Sequence, residues 1–196
     1  MGGVWNATPE DIEDKDFTIP QTRPSVAPKN PIRRVGLEGT GGQIQFLSPI
    51  YDDLETNIPH TLMKYSDLPF PEGTPLFPSH EEVLKYLERY ADDLRHLISF
   101  GIQVLHVRAF KGEGKIRWSV TTRNLSTSSE STSVFDAVIV ASGHYDDSYV
   151  PDIPGIKEWN VTYPGSISHS KFYRRPDTYK KKVTSLPQIL SIFLNG

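Results

Sequence analysis

The sequence predicts an α/β fold in which a capped helix, a β-meander and a buried strand follow one another. Ser79 with Glu82 three residues later is the reciprocal pair that satisfies the free amides of a helix start. Val83, Leu87, Tyr90, Leu94 and Leu97 then recur at helical spacing, which predicts a helix over 80–99. Residues 103–110 and 115–123 are β-rich, and Lys111-Gly112-Glu113-Gly114 between them supplies the glycines of a tight hairpin. Residues 135–141, FDAVIVA, form an almost unbroken apolar run, the pattern of a strand covered on both faces, and they end in Ser142-Gly143. The polar stretch 124–133 ahead of that run is expected as a loop.

Before the helix, residues 1–48 are rich in Pro, Gly, Asp and Thr without periodicity, which predicts irregular chain with one short strand at 43–47. The 196 residues, 37% of them apolar, suffice for the core of one ordinary domain but not of two large ones. A net charge of −3 with both signs interspersed excludes the basic footprint of a nucleic-acid-binding protein. Cysteine is absent, so disulfides and thiolate metal sites are excluded and packing alone must hold the fold. The six histidines show no ligand-like clustering. No apolar run approaches the ~20 residues of a membrane span. The N-terminus lacks the basic-then-apolar pattern of a secretory signal, so a soluble, cytoplasmic protein acting on a small molecule is the expectation.

Separated motifs sharpen this reading. The chain opens with Gly2-Gly3-Val4-Trp5, in which glycines let backbone amides approach a ligand and the indole supplies a flat apolar wall with one donor. The same string also suits a turn with a core tryptophan. Thr56-Asn57-Ile58-Pro59 lies within a longer run from Tyr51 to Met63; the Asn57 amide can both donate and accept hydrogen bonds, and the alternative is a turn in which it caps local backbone. Ala141-Ser142-Gly143 ends the apolar run, and ligands in such sheets sit at strand ends of this kind. Pro151-Asp152-Ile153-Pro154-Gly155 spaces its prolines as an extended linker does. Tyr163-Pro164-Gly165-Ser166-Ile167-Ser168-His169-Ser170-Lys171-Phe172-Tyr173 follows the order aromatic-x-Gly-x3-His-x3-aromatic.

Across residues 2–182 these motifs resemble the second half of the FAD-binding domain of flavin-containing monooxygenases of the N,N-dimethylaniline monooxygenase type. The resemblance implies a partial FAD-binding domain of the two-dinucleotide-binding-domain flavoprotein fold over 1–150, a linker towards an NADPH domain over 151–182, and an atypical tail over 183–196. It implies FAD and NADPH as cofactors of the parent enzyme, a small nitrogen- or sulfur-containing nucleophile as substrate, and oxygen transfer through a C4a-hydroperoxyflavin. Asn57 would be the catalytic residue at the flavin's reactive edge. Gly2, Gly3, Val4, Trp5, Thr56 and Ile58 would lie along the cofactor. Val104 would offer its backbone to the adenine, or else be an ordinary core valine. Ser142 and Gly143 would mark where the chain passes the cofactor, and Tyr163, Gly165 and His169 would belong to the linker between the two cofactor domains. Related Baeyer-Villiger enzymes usually carry tryptophan where this chain has Tyr173, which favours nitrogen or sulfur oxygenation. A Baeyer-Villiger enzyme, an N-hydroxylating enzyme and a non-catalytic interaction module are the alternatives.

The resemblance also implies two G-x-G-x-x-G phosphate loops, each between a strand and a helix N-terminus, and neither is in the sequence. The string Gly36-Leu37-Glu38-Gly39-Thr40-Gly41-Gly42 has the wrong spacing, and Lys180-Lys181-Lys182-Val183 runs on to Pro187 where a strand should lead into the second loop. The first Rossmann βαβ unit is likewise lacking, so weak or absent binding of FAD and NADPH by this chain is expected.

Overall fold

The computed structural model describes residues 3–8, 17–24, 29, 31–33, 44–112, 114–143 and 146–180. Gly2, the 36–42 string and the tail over 183–196 lie outside the described residues. The chain forms two compact units, one of Met1–Thr22, Ser48–Asp92 and Ser148–Gly196, the other of Arg23–Leu47 and Asp93–Asp147. Both are assembled from separated stretches of sequence.

The first unit is organised on one helix. Helix α1 (His60–Met63) is a single turn, whereas α2 (His80–Tyr90) starts with the expected capping box. The Glu82 amide donates to Ser79 Oγ at 3.4 Å, and the Ser79 amide donates to Glu82 Oε2 at 2.8 Å. Val83 and Tyr86 of α2 are buried, together with Phe70, Pro78, Ile50 and Val150. Tyr86 is the pivot of this core. Its ring stacks on Phe70 with centroids 3.9 Å apart and on Tyr65 at 5.9 Å, and Tyr65 stacks in turn on Tyr90 at 4.0 Å. The Tyr86 hydroxyl donates to the Leu68 carbonyl at 2.7 Å and accepts from the Tyr65 amide at 2.7 Å, so the buried phenol has both partners it requires.

α2 is shorter than its spacing suggested. It ends at Tyr90 with Ala91 as C-cap, and Asp92–Leu97 forms a tighter 3-10 turn. Two consecutive aspartates at that point explain the stop, since aspartate is a weak helix former and its negative charge opposes the negative end of the helix dipole. Leu94 and Leu97, expected on the buried face, are exposed. Helix α3 (Ile156–Thr162) also belongs to this unit, and its N-cap Gly155 has φ +85°. An isolated antiparallel bridge between Gln21 and Val150, with hydrogen bonds of 3.0 and 2.9 Å, ties the N-terminal stretch to the segment before α3.

The second unit is a sheet with an accessory ribbon. β1 (Ile32–Arg33) pairs antiparallel with β2 (Ile44–Gln45), which falls inside the short strand expected at 43–47. β3 (Ile102–Gly112), β4 (Lys115–Asn124) and β5 (Glu130–Phe135) form a three-stranded antiparallel meander in the order β3-β4-β5. The expected hairpin joins β3 to β4: Gly112 pairs with Lys115, and Gly114 takes φ +83°, a conformation that suits glycine. A register shift between Val104 and His106 bends β3.

Two expectations fail in this unit. The loop expected at 124–133 is cut short, because Glu130 to Ser133 join β5. Cross-strand polar pairs recruit them: Arg123 bonds Glu130 through Nη2 at 2.7 Å and Nε at 3.1 Å, and the Thr121 and Thr132 hydroxyls lie 3.0 Å apart. The apolar run 135–141 is not a buried strand. Only Phe135 belongs to β5, residues 137–143 have no regular structure, and Ile139 and Val140 are 92% and 77% exposed. A strand needs neighbours to take its amides and carbonyls, and among the described residues 137–143 have none.

Candidate functional site

The Thr56-Asn57 corner is built on the start of α2. Residues 54–56 run beside 78–80: the His80 amide donates to the Leu54 carbonyl at 2.9 Å, the Thr56 amide donates to the Pro78 carbonyl at 3.0 Å, and Glu55 bridges Ser79. The buried Thr56 hydroxyl donates to the Ile58 carbonyl at 2.9 Å and closes the turn from inside. Local capping is therefore done by the threonine. The asparagine, which could have done it, is exposed and has no hydrogen-bond partner among the described residues. Ile58 beside it is also exposed. The corner thus fixes a backbone and leaves an uncommitted amide and an apolar side chain at its apex.

The opening motif sits against the same helix. Gly3–Trp5 forms a 3-10 turn that contacts α2. Gly3 has φ +53°, Val4 is exposed, and Trp5 is half-buried. Ser48 holds this turn through all of its polar groups. Its hydroxyl donates to the Val4 carbonyl, its amide donates to Thr8 Oγ1 at 2.6 Å, and its carbonyl accepts from Arg174 Nη2 at 2.8 Å. Arg174 Nη1 donates to the Lys171 and Tyr173 carbonyls at 2.9 and 2.8 Å. The Arg174 carbonyl accepts from the Asp52 amide at 3.0 Å, and Arg175 pairs with the Asp52 carboxylate at 3.3 Å. Burial lowers the Arg174 pKa and the Asp52 carboxylate opposes that shift. Within this unit, then, a chain of polar contacts links Val4, Ser48 and Arg174 to the 163–173 fingerprint.

In the fingerprint, Tyr163 is the C-cap of α3 and is exposed. Its ring lies 4.7 Å from that of Trp159, and Trp159 Nε1 donates to Ser166 Oγ at 2.9 Å. Gly165, between them, has φ +76°. His169 caps the Ser170–Phe172 turn, with Nδ1 accepting from the Lys171 amide at 3.1 Å, and its ring packs edge-on to Phe17 and Phe172. Burial first, and the Lys171 ammonium second, hold its pKa below the ordinary histidine value. Both effects favour the neutral imidazole that this cap requires.

Three other expected positions lie in the second unit. Val104 is exposed beside the β3 register shift, so it is not a core valine within this unit. Ser142 and Gly143 are exposed, and Gly143 has φ +74° with nothing within 4 Å of where a Cβ would stand. Gly3 and Gly165 share that combination of positive φ and open space. Gly73, Gly101, Gly114 and Gly155 share it too, so the combination marks backbone that only glycine adopts readily. Among the described residues no group of three or more His, Cys, Asp or Glu could hold a metal ion, and no helix is long and apolar enough to cross a membrane. Ser48 and Arg174 were not foreseen from the sequence, since a side chain bonded to distant backbone leaves no spacing pattern.

Residues 43–188 match the model of the FMO-like family, flavin-binding monooxygenase-like proteins. The flavin-containing monooxygenase FMO GS-OX2 of Arabidopsis thaliana is 37% identical over 192 residues, covering 93% of this chain and 35% of the relative. The flavin-containing monooxygenase ustF1 of Aspergillus flavus is 37% identical over 147 residues, covering 72% of this chain and 37% of the relative. The chain therefore spans about a third of the length of the curated relatives it matches. Among solved structures, Tmm from Pelagibacter sp. strain HTCC7211 superposes with a TM-score of 0.59 at 20% identity, over 69% of this chain and 30% of that one, which supports a shared fold. On the family match over most of its length, the chain is a member of the flavin-binding monooxygenase-like family.

Proposed function

We propose that this chain provides the Asn57 corner and the interdomain linker of an FAD- and NADPH-dependent monooxygenase that oxygenates nitrogen or sulfur in small molecules. The observation that carries this is the division of labour at the corner: Thr56 closes the turn, and the exposed Asn57 amide stays free to meet a ligand. FAD, reduced by NADPH, supplies the activation of O2 when it is bound. The chain's residues orient and shield. Asn57 donates to and accepts from polar atoms at the flavin's edge, where a fixed dipole is most effective with water excluded. Ile58, Val4 and Trp5 wall that edge, Thr56 fixes the corner, and Gly3, Ser142 and Gly143 let backbone pass close to the cofactor. Val104 offers its backbone to the adenine. Tyr163, Gly165 and the neutral His169 shape the linker, His169 as a cap rather than as an acid or base. Gly2 enters on the motif alone.

In this reading residues 1–150 belong to the flavin domain and 151–182 to the linker, in a cytoplasmic enzyme. The sequence contains neither phosphate loop. Each charge-assisted hydrogen bond withheld from a pyrophosphate forgoes about 1.5–3 kcal/mol, so the 196-residue chain alone binds FAD weakly or not at all.

The test is a graft of residues 43–182 into FMO GS-OX2 in place of its own segment, assayed for NADPH oxidation, oxygenated thioether and hydrogen peroxide. The graft is expected to oxygenate the thioether in preference to a ketone. Asn57→Ala in it is expected to cut product by about 100-fold or more, the scale for losing one oriented donor, while NADPH oxidation continues and releases peroxide. A folded graft that takes up flavin, with product and peroxide unaltered by Asn57→Ala, rejects the role of Asn57.

A further inference from the structure

Residues 48–57 run from the serine that holds the opening turn to the corner that presents Asn57, and one cation fastens this stretch to the end of the fingerprint. The Arg174 guanidinium donates to three carbonyls: from Nη1 to Lys171 at 2.9 Å and to Tyr173 at 2.8 Å, and from Nη2 to Ser48 at 2.8 Å. The first two lie in and just after the Ser170–Phe172 turn that His169 caps, and the third is 126 residues away in sequence. Beside it the Asp52 amide donates to the Arg174 carbonyl at 3.0 Å, Arg175 pairs with the Asp52 carboxylate at 3.3 Å, and the Tyr51 and Tyr173 rings meet edge to face at 5.3 Å. Ser48 passes the tie onward, its hydroxyl donating to the Val4 carbonyl and its amide to Thr8 Oγ1 at 2.6 Å. All of these residues belong to the first unit.

The chemistry of the contact calls for an arginine. A planar guanidinium holds its donors in fixed directions, so bonds to three carbonyls define one geometry, which a flexible ammonium would not. Burial lowers the Arg174 pKa and the Asp52 carboxylate opposes that shift, and a guanidinium so placed remains a cation. The fold does not need it. Val83, Tyr86 and Phe70 form the core of the unit, and the Ser79–Glu82 pair caps α2, without any contribution from Arg174.

We propose that Arg174 is a positioning residue for the reduction of the flavin by NADPH: through Ser48 it holds the linker to the NADPH domain at one spacing from the turn of Val4 and Trp5. This rests on the monooxygenase reading above, in which the linker and that turn belong to the two partners of the hydride transfer. Reactants displaced by about 1 Å can lose on the order of 100-fold in rate. A rigid fork bonded to both sides prevents such a displacement.

Two measurements test it. On the full 196-residue chain, Arg174→Ala should speed amide hydrogen exchange in residues 3–8 and 170–173 together, while exchange in α2 stays as it is. In the graft described above, lengthened to residues 2–182, the same substitution should slow anaerobic reduction of the bound flavin by NADPH about 10- to 100-fold, with flavin content and reduction by dithionite unchanged. Free guanidinium, below denaturing concentrations, should restore part of that rate, and methylammonium should not. Ser48→Ala should slow reduction as well, and the double variant should be no slower than Arg174→Ala alone, because both act along one path. The proposal is overturned, with Asn57 untouched, by exchange in residues 3–8 that does not respond, by reduction that keeps its rate, by a loss of rate that follows lost flavin, by equal rescue with both cations, or by effects of the two substitutions that multiply. A graft that takes up no flavin rejects the monooxygenase reading itself, and this proposal with it.

Discussion

The two compact units complete their hydrogen bonding in opposite ways. In the first, individual side chains do it: Tyr86 satisfies the 65–68 backbone, Thr56 closes its own corner, and Ser48 and Arg174 bond carbonyls far away in sequence. In the second, a regular antiparallel ladder satisfies β3 to β5, with side chains mostly exposed on β5 and mostly half-buried on β4, Val120 and Leu125 being its buried apolar residues among those described. The difference teaches where specificity resides. A ladder is generic and tolerates exchange of one side chain, whereas a geometry assembled from single polar contacts is only as good as each of them.

The most damaging change should therefore fall in the first unit. Tyr86→Ala removes a buried ring stacked on two others and the hydroxyl that bonds two part-buried backbone groups, so a loss of about 3–5 kcal/mol is expected, the usual range for truncating a core aromatic. Urea denaturation checks it, and a loss below 1 kcal/mol, roughly what a surface site gives, would break the comparison. In the ladder, Thr132→Ala removes a cross-strand hydroxyl pair and should cost only about 0.2–1 kcal/mol by the same measurement. A loss as large as that of Tyr86→Ala would show that the meander also depends on single side chains.

The smallest effect is a slope with pH. The His169 pKa lies below its ordinary value of 6.5 in the folded chain. Over the window from that value down to the lowered one, the unfolded chain binds more protons, so stability rises with pH. The contribution of the neutral imidazole is complete above pH 6.5 and is lost as pH falls through the folded pKa. His169→Asn should flatten that part of the stability curve measured by denaturant midpoints. An unchanged slope would mean that the ring is not held neutral by its surroundings.

Elements whose instructions are local were legible in the sequence. The Ser79–Glu82 box and the 111–114 hairpin need only neighbouring residues, and both formed as expected. The spacing of Leu94 and Leu97 continues the helical pattern past the aspartate pair at 92 and 93, where the helix in fact ends. Tyr86 was not among the expected core positions, since its burial depends on rings supplied by Tyr65 and Phe70 from outside the helix. The run 135–141 was misread because apolarity reports a tendency to be covered, whereas pairing requires a neighbour that the run itself does not encode. At the candidate site the motifs named Val4, Trp5, Thr56, Asn57 and the 163–173 fingerprint; the Gly3–Trp5 turn contacts α2, and Leu54 and Thr56 bond to the backbone at its start. Ser48 and Arg174 stayed hidden because each bonds to backbone, which any sequence provides.

The bridge between Glu55 and Ser79 closes the neck of everything between them. Beyond that neck, Pro71 to Thr74 make an exposed turn in which the Thr74 amide donates to the Pro71 carbonyl and Gly73 has φ +83°. Doubling the length of a closed flexible loop costs only about 0.6 kcal/mol, and extra residues at that tip would be paid out as slack on the far side of the clasp. Variation in length there would leave the Thr56–Asn57 corner standing where it is, so this tip is the place at which the chain can be lengthened or tagged with a reporter without loosening that corner.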